Sequence, residues 1–350
     1  MSRLGRRALV DRAKTAGIVA LFLALLTYAA WPWLPFETSS RPPRTVVLYG
    51  FSILGECMND SVLPAFQEHW MGKTGEQVEF LTSFSGSGTI TNQILSGAPA
   101  AAVLVSLALD ADRLAGAGLT SPGSWRDRPE HGVVNRSPFV ILVRPGNPKG
   151  IHDFDDLTKQ GVEIVHPDPL TSGGANWAIV AEYGAGFRGE PGGRQAGTEL
   201  LGGIWRNVVA QAASARAART QFENGFGDAL ITYEQEAVWD RARGKLSAEI
   251  VYPKRTILSE HTMVVVERNV EDDERDLIEA FAAFLWSRET QERFVEYGFR
   301  SVDDALNEAN SGFGRIEDPF RITDFGGWTE AKADIVDGLW RDRVLEQKGP

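Results

Sequence analysis

The stretch His166-Pro-Asp-Pro-Leu-Thr-Ser-Gly-Gly-Ala-Asn-Trp177 joins a predicted strand, Val162–His166, to a segment that reads as a helix, with Ser172-Gly173-Gly174 at the junction. The first turn of a helix carries amide N–H groups without intrahelical partners, at the positive end of the helix dipole. Two glycines there remove the side chains that would keep an anion off those amides. The serine just before them can cap the helix or donate to the anion. The segment therefore predicts a small oxyanion site that needs no lysine or arginine. An ordinary capped helix start has the same three residues, so the surrounding chain has to decide.

Outward from this turn the chain alternates strands and helices. Strands are predicted at 45–51, 77–82 and 102–106, with helices at 56–70, 89–95 and 108–117 between and after them. A second round follows: strands at 139–145 and 162–166, the helix after Ser172, a glycine-rich stretch from Gly184 to Gly197, and a helix over 200–208. A strand at 228–232, a helix at 233–243, a strand from His261 and a helix at 271–286 complete it. This βα rhythm predicts an α/β architecture with a parallel sheet covered by helices. The length suits two lobes. In such sheets ligands sit beyond the carboxyl ends of strands. Four turns stand there: Phe51–Leu54, Ser85–Thr89, Thr171–Gly174 and Ala213–Arg216.

Composition narrows the function. The 350 residues carry a net charge of −11. Five basic residues and one acid in the first fourteen make +4 there, leaving −15 for the rest. So acidic a body predicts no nucleic-acid partner, because that needs a basic surface. Thr15–Phe36 contains no charge and matches the roughly 20 apolar residues that span a bilayer. Its basic flank predicts a cytoplasmic N-terminus. Residues 1–36 read as a signal peptide or an uncleaved inner-membrane anchor, with Trp31 and Trp33 at the outer interface, and 37–44 as a linker. Tyr28-Ala29-Ala30 puts a bulky residue where signal cleavage favours a small one, which weighs toward the anchor. The one cysteine, Cys57, cannot form an internal disulfide, and the five histidines are scattered. No metal site or cofactor is predicted.

Several separated motifs, in order, resemble the sulfate-binding proteins of ABC importers, within the type 2 periplasmic binding protein fold. They are Glu68-His-Trp70 with Lys73-Thr-Gly75, Ser87-Gly88, Leu142 to Asp153, Thr171-Ser-Gly-Gly-Ala-Asn-Trp177, Gly225 to Ile231 with Glu234, and Phe325-Gly-Gly-Trp328. The resemblance implies two lobes, 45–138 plus 260–350 and 139–259, that close over a ligand. It implies a site of neutral donors: the amides of Ser87, Gly173, Gly174 and Ala215, and the amide and hydroxyl of Ser172. A dianion held this way in a dry cleft needs no paired cation.

Two positions depart from the sulfate pattern. Ser52 lies in the loop where the family usually carries an aspartate, and Tyr233 stands where it often has a tryptophan donor. Both resemble the related molybdate-binding proteins, and both can donate hydrogen bonds. The expected ligand is thus sulfate or thiosulfate, with molybdate or tungstate as the alternative. The expected partner is an ABC permease, in the periplasm or otherwise outside the cytoplasm. A membrane-tethered anion sensor is the remaining alternative. An enzyme is not expected: a serine nucleophile needs an aligned base, and the Ser87 turn is not a Gly-x-Ser-x-Gly elbow, because Ser85 occupies its first position. Arg216 and Arg219 are expected to stand behind the ligand rather than on it, and Trp177 to pack the lobe.

Overall fold

The computed structural model describes residues 3–30 and 42–345. Residues 1–43 and 44–350 form two separate units. In the first, α1 (Arg3–Ala30) is a 28-residue helix on which Ile18, Leu21, Phe22 and Leu25 are exposed. Residues 31–36 of the expected apolar span, with Trp31 and Trp33, and residues 37–41 of the expected linker lie outside the described residues. Among the described residues no helix is long and apolar enough to cross a membrane.

The second unit begins with β1 (Arg44–Phe51), whose Val46 and Leu48 point inward at a period of two. After it, α2 (Gly55–Cys57) runs through a π-helical turn at Met58–Val62 into α3 (Leu63–Thr74). Gly75 ends α3 at φ 74°, a left-handed cap that suits glycine. Then come β2 (Val78–Ser85), α4 (Ser87–Leu95), β3 (Ala102–Val105), α5 (Ala108–Gly116), β4 (Val133–Val143) and β5 (Ile164–Pro167). They are followed by α6 (Gly173–Phe187), α7 (Arg194–Arg206), β6 (Val208–Ala212), α8 (Ala215–Glu223), β7 (Ala229–Tyr233) and α9 (Glu234–Ala242). The chain continues with β8 (Glu249–Val251), β9 (Arg255–Val265), α10 (Arg275–Phe284), α11 (Arg288–Glu296) and α12 (Asp304–Ala309). It closes with β10 (Asp318–Phe320) and α13 (Trp328–Ala331), which passes into a π-helical segment at Lys332–Leu345.

Among the described residues the strands run in the order β2-β1-β3-β9-β4-β7-β5-β6, with β10 on β9 and β8 on β4. β1 is parallel to β2 and β3, and β5 is parallel to β6 and β7. The expected parallel sheet is therefore mixed: β9 is antiparallel to β3 and β4, and β4 to β7. β4 changes partner along its length. Val133–Pro138 pairs with β9, and Phe139–Val143 pairs with β7. Buried along its whole length, it joins the two halves of the sheet.

Three sequence expectations are corrected. β4 and β9 each begin six residues earlier than Phe139 and His261, because their polar residues are bonded to one another inside the sheet. His261 Nδ1 lies 2.6 Å from Asn135 Oδ1, and the Ser259 hydroxyl donates to the Ser137 carbonyl. Across the stretch Gly184–Gly197, α6 runs to Phe187 and α7 begins at Arg194, six residues before the helix expected from 200. The glycines of this stretch let chains approach: a Cβ at Gly186 would lie 2.7 Å from the Ala196 carbonyl oxygen, and one at Gly197 2.7 Å from the Tyr183 ring. Finally, the helix expected to reach Val208 stops at Arg206, and Val208 opens β6.

Candidate functional site

Each of the four turns singled out above opens a helix. Phe51 leads into a 3-10 turn at Ser52–Leu54, Gly86 into α4, Ser172 into α6 and Ser214 into α8. The turn before α6 is built by Asp168, whose carbonyl accepts from the Thr171 and Ser172 amides at 3.2 and 2.8 Å, so the Ser172 amide, expected as a ligand donor, is used within the turn. Its carboxylate accepts from the Leu170 amide at 2.9 Å. Ser172 is extended, and its hydroxyl makes no cap bond, so that hydroxyl stays out of the helix. The Ser214 hydroxyl caps α8 by accepting from the Ala217 amide at 3.1 Å. That leaves the Ala215 amide among the unpaired first-turn donors. Thr171 Oγ1 donates to the Ala213 carbonyl at 2.9 Å and ties the α6 and α8 turns together.

These starts converge. A Cβ at Gly86 would strike the Thr171 carbonyl oxygen and lie 2.8 Å from that of Ala213. A Cβ at Gly173 would lie 2.7 Å from Ser106 Oγ and 2.9 Å from the Ser87 Cβ. One at Gly174 would lie 2.9 Å from the Tyr233 ring and 3.1 Å from its hydroxyl. Ser87, Ser172, Gly173, Gly174, Ala215 and Tyr233 are buried together, while Ser52 is half-buried on a turn that packs against α8. Beside Ser172 and Gly173 a cavity of about 240 Å³ opens, lined also by Gly88, Asn92, Asp110 and Lys332.

Hydroxyl groups order this wall. Ser87 Oγ donates to Asp110 at 2.7 Å and accepts from the Ser106 amide at 3.0 Å, so its own amide is what remains for a ligand. Burial pushes the Asp110 carboxyl up, against the pull of Ser87 and Arg113. Ser106 Oγ and Tyr233 Oη lie 2.9 Å apart, and burial raises the phenol well above its ordinary value. The Trp177 indole donates to the Ser106 carbonyl at 2.7 Å and meets Trp328 edge-on at 4.5 Å; it packs the interior. Sequence reasoning missed Ser106 and Asp110. Ser106 follows directly on β3, at the same strand-end position as the four turns, and that signal was available.

The cations near the helix starts are spent. Arg216 pairs with buried Glu236 at 2.8 Å and with Glu56 at 3.3 Å. Arg219 pairs with Glu236, Glu223 and buried Asp240. Glu56 also accepts from the Trp239 indole at 3.1 Å and faces Arg243 at 3.6 Å, joining the turn after β1 to α8 and α9. The arginines hold its carboxyl below the ordinary range against the effect of burial. The first-turn amides of these helices are dipoles of the sign that attracts negative charge, and Lys332 on the cavity wall is paired with Asp337. Among the described residues no cluster of His, Cys, Asp or Glu is placed to hold a metal.

The strands that join the halves carry a neutral histidine. His261 is fully buried between Asn135 and Ser259, and burial lowers its pKa to about 3. Its ring packs 4.5 Å from Phe51 and 5.4 Å from Tyr233. The other buried histidine, His166, spends its nitrogens on the Pro167 carbonyl and Glu182. Neither ring bonds to a serine of the four turns.

Residues 56–300 match the family described as bacterial extracellular solute-binding protein. The chain is 32% identical to the sulfate-binding protein of Synechococcus elongatus, over 88% of each chain. It is 34% identical to the sulfate-binding protein of Salmonella typhimurium, over 77% of this chain and 83% of that one. A thiosulfate-binding protein of Pseudomonas aeruginosa is 34% identical over 80% of this chain and 86% of its own. Among solved structures, the sulfate-binding protein SubI of Mycobacterium tuberculosis superposes with a TM-score of 0.76 at 30% identity. It covers 83% of this chain and 99% of its own. A periplasmic thiamin binding protein shares the fold, with a TM-score of 0.66 at 12% identity over 88% of this chain and 97% of its own.

Proposed function

This chain belongs to the bacterial extracellular solute-binding protein family, and from that premise we propose that it captures sulfate or thiosulfate outside the cytoplasm and delivers it to the permease of an ABC importer. The observation that carries this reading is the convergence of three helix N-termini, at Ser87, Gly173 and Ala215, beside arginines that are paired with carboxylates. In the proposed site the amides of Ser87, Gly173, Gly174 and Ala215 hold the anion, with the hydroxyls of Ser52, Ser172 and Tyr233 around it. First-turn amides and the helix dipole favour an oxyanion without proton transfer. A fully ionised dianion suits such donors, because a ligand proton would require an acceptor.

The lobes in this reading are 45–138 plus 260–350 and 139–259, closing by a hinge on the crossing strands. The partner change in β4 between Pro138 and Phe139 supports that division. In this reading the protein acts by binding rather than as a hydrolase, which is supported by the Ser87 Oγ bond to Asp110 and by the two buried histidines, whose described bonds go elsewhere than to the serines of the four turns. The segment 1–36 exports the chain, as a signal peptide or as an inner-membrane anchor; its uncharged run and the exposed apolar side chains of α1 support this.

Calorimetric titration of the full chain with sulfate, thiosulfate, molybdate, tungstate and phosphate tests the reading. Binding of sulfate or thiosulfate is expected, and binding of none of the five refutes it. Ser52 and Tyr233 favour molybdate or tungstate as the second reading, which tighter binding of those anions would establish. Gly173→Val places a side chain against Ser106 and Ser87, so it is expected to abolish binding while the circular dichroism spectrum stays unchanged.

A further inference from the structure

We propose that Ser106 sets the size of tetrahedral oxyanion that the cleft admits. The inference rests on the oxyanion reading above and adds a residue that reading does not use. Ser106 follows β3 and is 1% exposed. It is held at three atoms. Its amide donates to Ser87 Oγ at 3.0 Å, its carbonyl accepts from the Trp177 indole at 2.7 Å, and its hydroxyl shares a hydrogen bond with the Tyr233 phenol at 2.9 Å. The first bond reaches the start of α4, the second reaches α6, and the third reaches the end of β7 across the sheet halves.

Two of these bonds use the backbone, so the Ser106 Cβ cannot retreat. Its hydroxyl therefore stands against the first turn of α6: a Cβ at Gly173 would lie 2.7 Å from Ser106 Oγ and 3.0 Å from the Ser106 Cβ. Tyr233 covers Gly174 in the same way. The two hydroxyls form one pair, which consumes one of its two protons and leaves the other for an anion oxygen. The pair packs against Gly173 and Gly174, and in the proposed site it forms a fixed wall that a tetrahedral ligand on those amides must fit beside. Molybdate is larger than sulfate, and the pinned serine resists the wider spacing it needs. Ser106 thereby favours the smaller anion.

Ser106→Ala removes the hydroxyl and keeps both backbone bonds, so the variant folds. Ser106→Thr adds a methyl group at the same place. Full-length wild type and both variants are titrated calorimetrically with sodium sulfate and with sodium molybdate, and folding is checked by circular dichroism. Wild type is expected to prefer sulfate. Ser106→Ala should shift the affinity ratio toward molybdate by roughly tenfold, the scale of one small group in a fitted pocket. Ser106→Thr should weaken molybdate more than sulfate. A serine with only a structural role would weaken both anions alike. A ratio unchanged in folded Ser106→Ala, or a wild-type preference for molybdate, overturns this inference and leaves oxyanion capture standing. A wild type that binds neither anion overturns this inference, and overturns oxyanion capture as well when thiosulfate, tungstate and phosphate also fail to bind.

Discussion

Gly86→Ala is expected to hold the two halves of the sheet apart. Gly86 has φ −56° and ψ 138°, a conformation any residue adopts, so the change adds only a methyl group. That carbon would strike the Thr171 carbonyl and lie 2.8 Å from the Ala213 carbonyl oxygen. Ordinary carbon–oxygen contact begins at about 3.3 Å, so the turn before α4 must withdraw by about 0.5 Å or more. Both obstacles are backbone atoms, and no rotamer change relieves them. Overpacking of this kind costs about 1–3 kcal/mol, and it falls on the arrangement in which the halves meet. Sulfate affinity should drop roughly 5- to 150-fold. The thermal midpoint of the anion-free protein should move little, because the methyl meets open solvent once the halves separate. Calorimetry gives the affinity, and small-angle scattering with and without sulfate reports whether closure is still complete. An affinity within about twofold of wild type would refute the claim that these turns must touch for the anion to be held.

Glu56→Gln keeps the side-chain shape and removes its charge from Arg216 and Arg243. Because Glu56 is about one-third exposed, its contribution is expected to be no more than about 1 kcal/mol. Sulfate affinity should fall a few-fold at low salt, and the difference should vanish in concentrated salt; a salt-independent loss would contradict the ion-pair account. His261 makes stability pH-dependent. Its pKa is lowered to about 3 in the folded protein, whereas the unfolded chain takes the proton near the ordinary value of 6.5. Its contribution is therefore present above the unfolded value and is lost as pH falls toward the folded one. The slope is at most about 1.4 kcal/mol per pH unit. Urea unfolding at pH 7 and pH 5 should show that loss in wild type, and His261→Gln should flatten it; equal slopes would refute it. Tyr233→Phe removes the phenol from Ser106 and should weaken sulfate about tenfold, consistent with loss of a hydrogen bond to a charged group. Calorimetry checks this, and an unchanged affinity would remove Tyr233 from the site.

The helix starts at α4, α6 and α8 were legible because their physics is local. A strand end, a serine and two glycines place unpaired amides at a helix start, and Ser172-Gly173-Gly174 carries all of that within three residues. Ser87 and Ala215 were legible for the same reason. Ser106 carries the same strand-end signal, but its bonds to Ser87, Trp177 and Tyr233, which lie 19, 71 and 127 residues away, could not be read locally. The start of α7 was read six residues late, because Gly197 has no side chain to mark the helical period and instead lets α6 approach.

By itself the sequence determined the α/β alternation, the acidic body and the position of each oxyanion-type turn, since periodicity, net charge and helix-start chemistry are properties of neighbouring residues. Only the tertiary structure decided that β4 and β9 run antiparallel through the middle of the sheet, because their buried Asn135, Ser137, Ser259 and His261 read as polar interruptions until they bond to each other. It alone decided that Arg216 and Arg219 are neutralised by Glu56, Glu236 and Asp240. It also placed Ser106 and Tyr233 opposite the glycines. Those facts depend on distances between residues far apart in the chain, which no local pattern encodes.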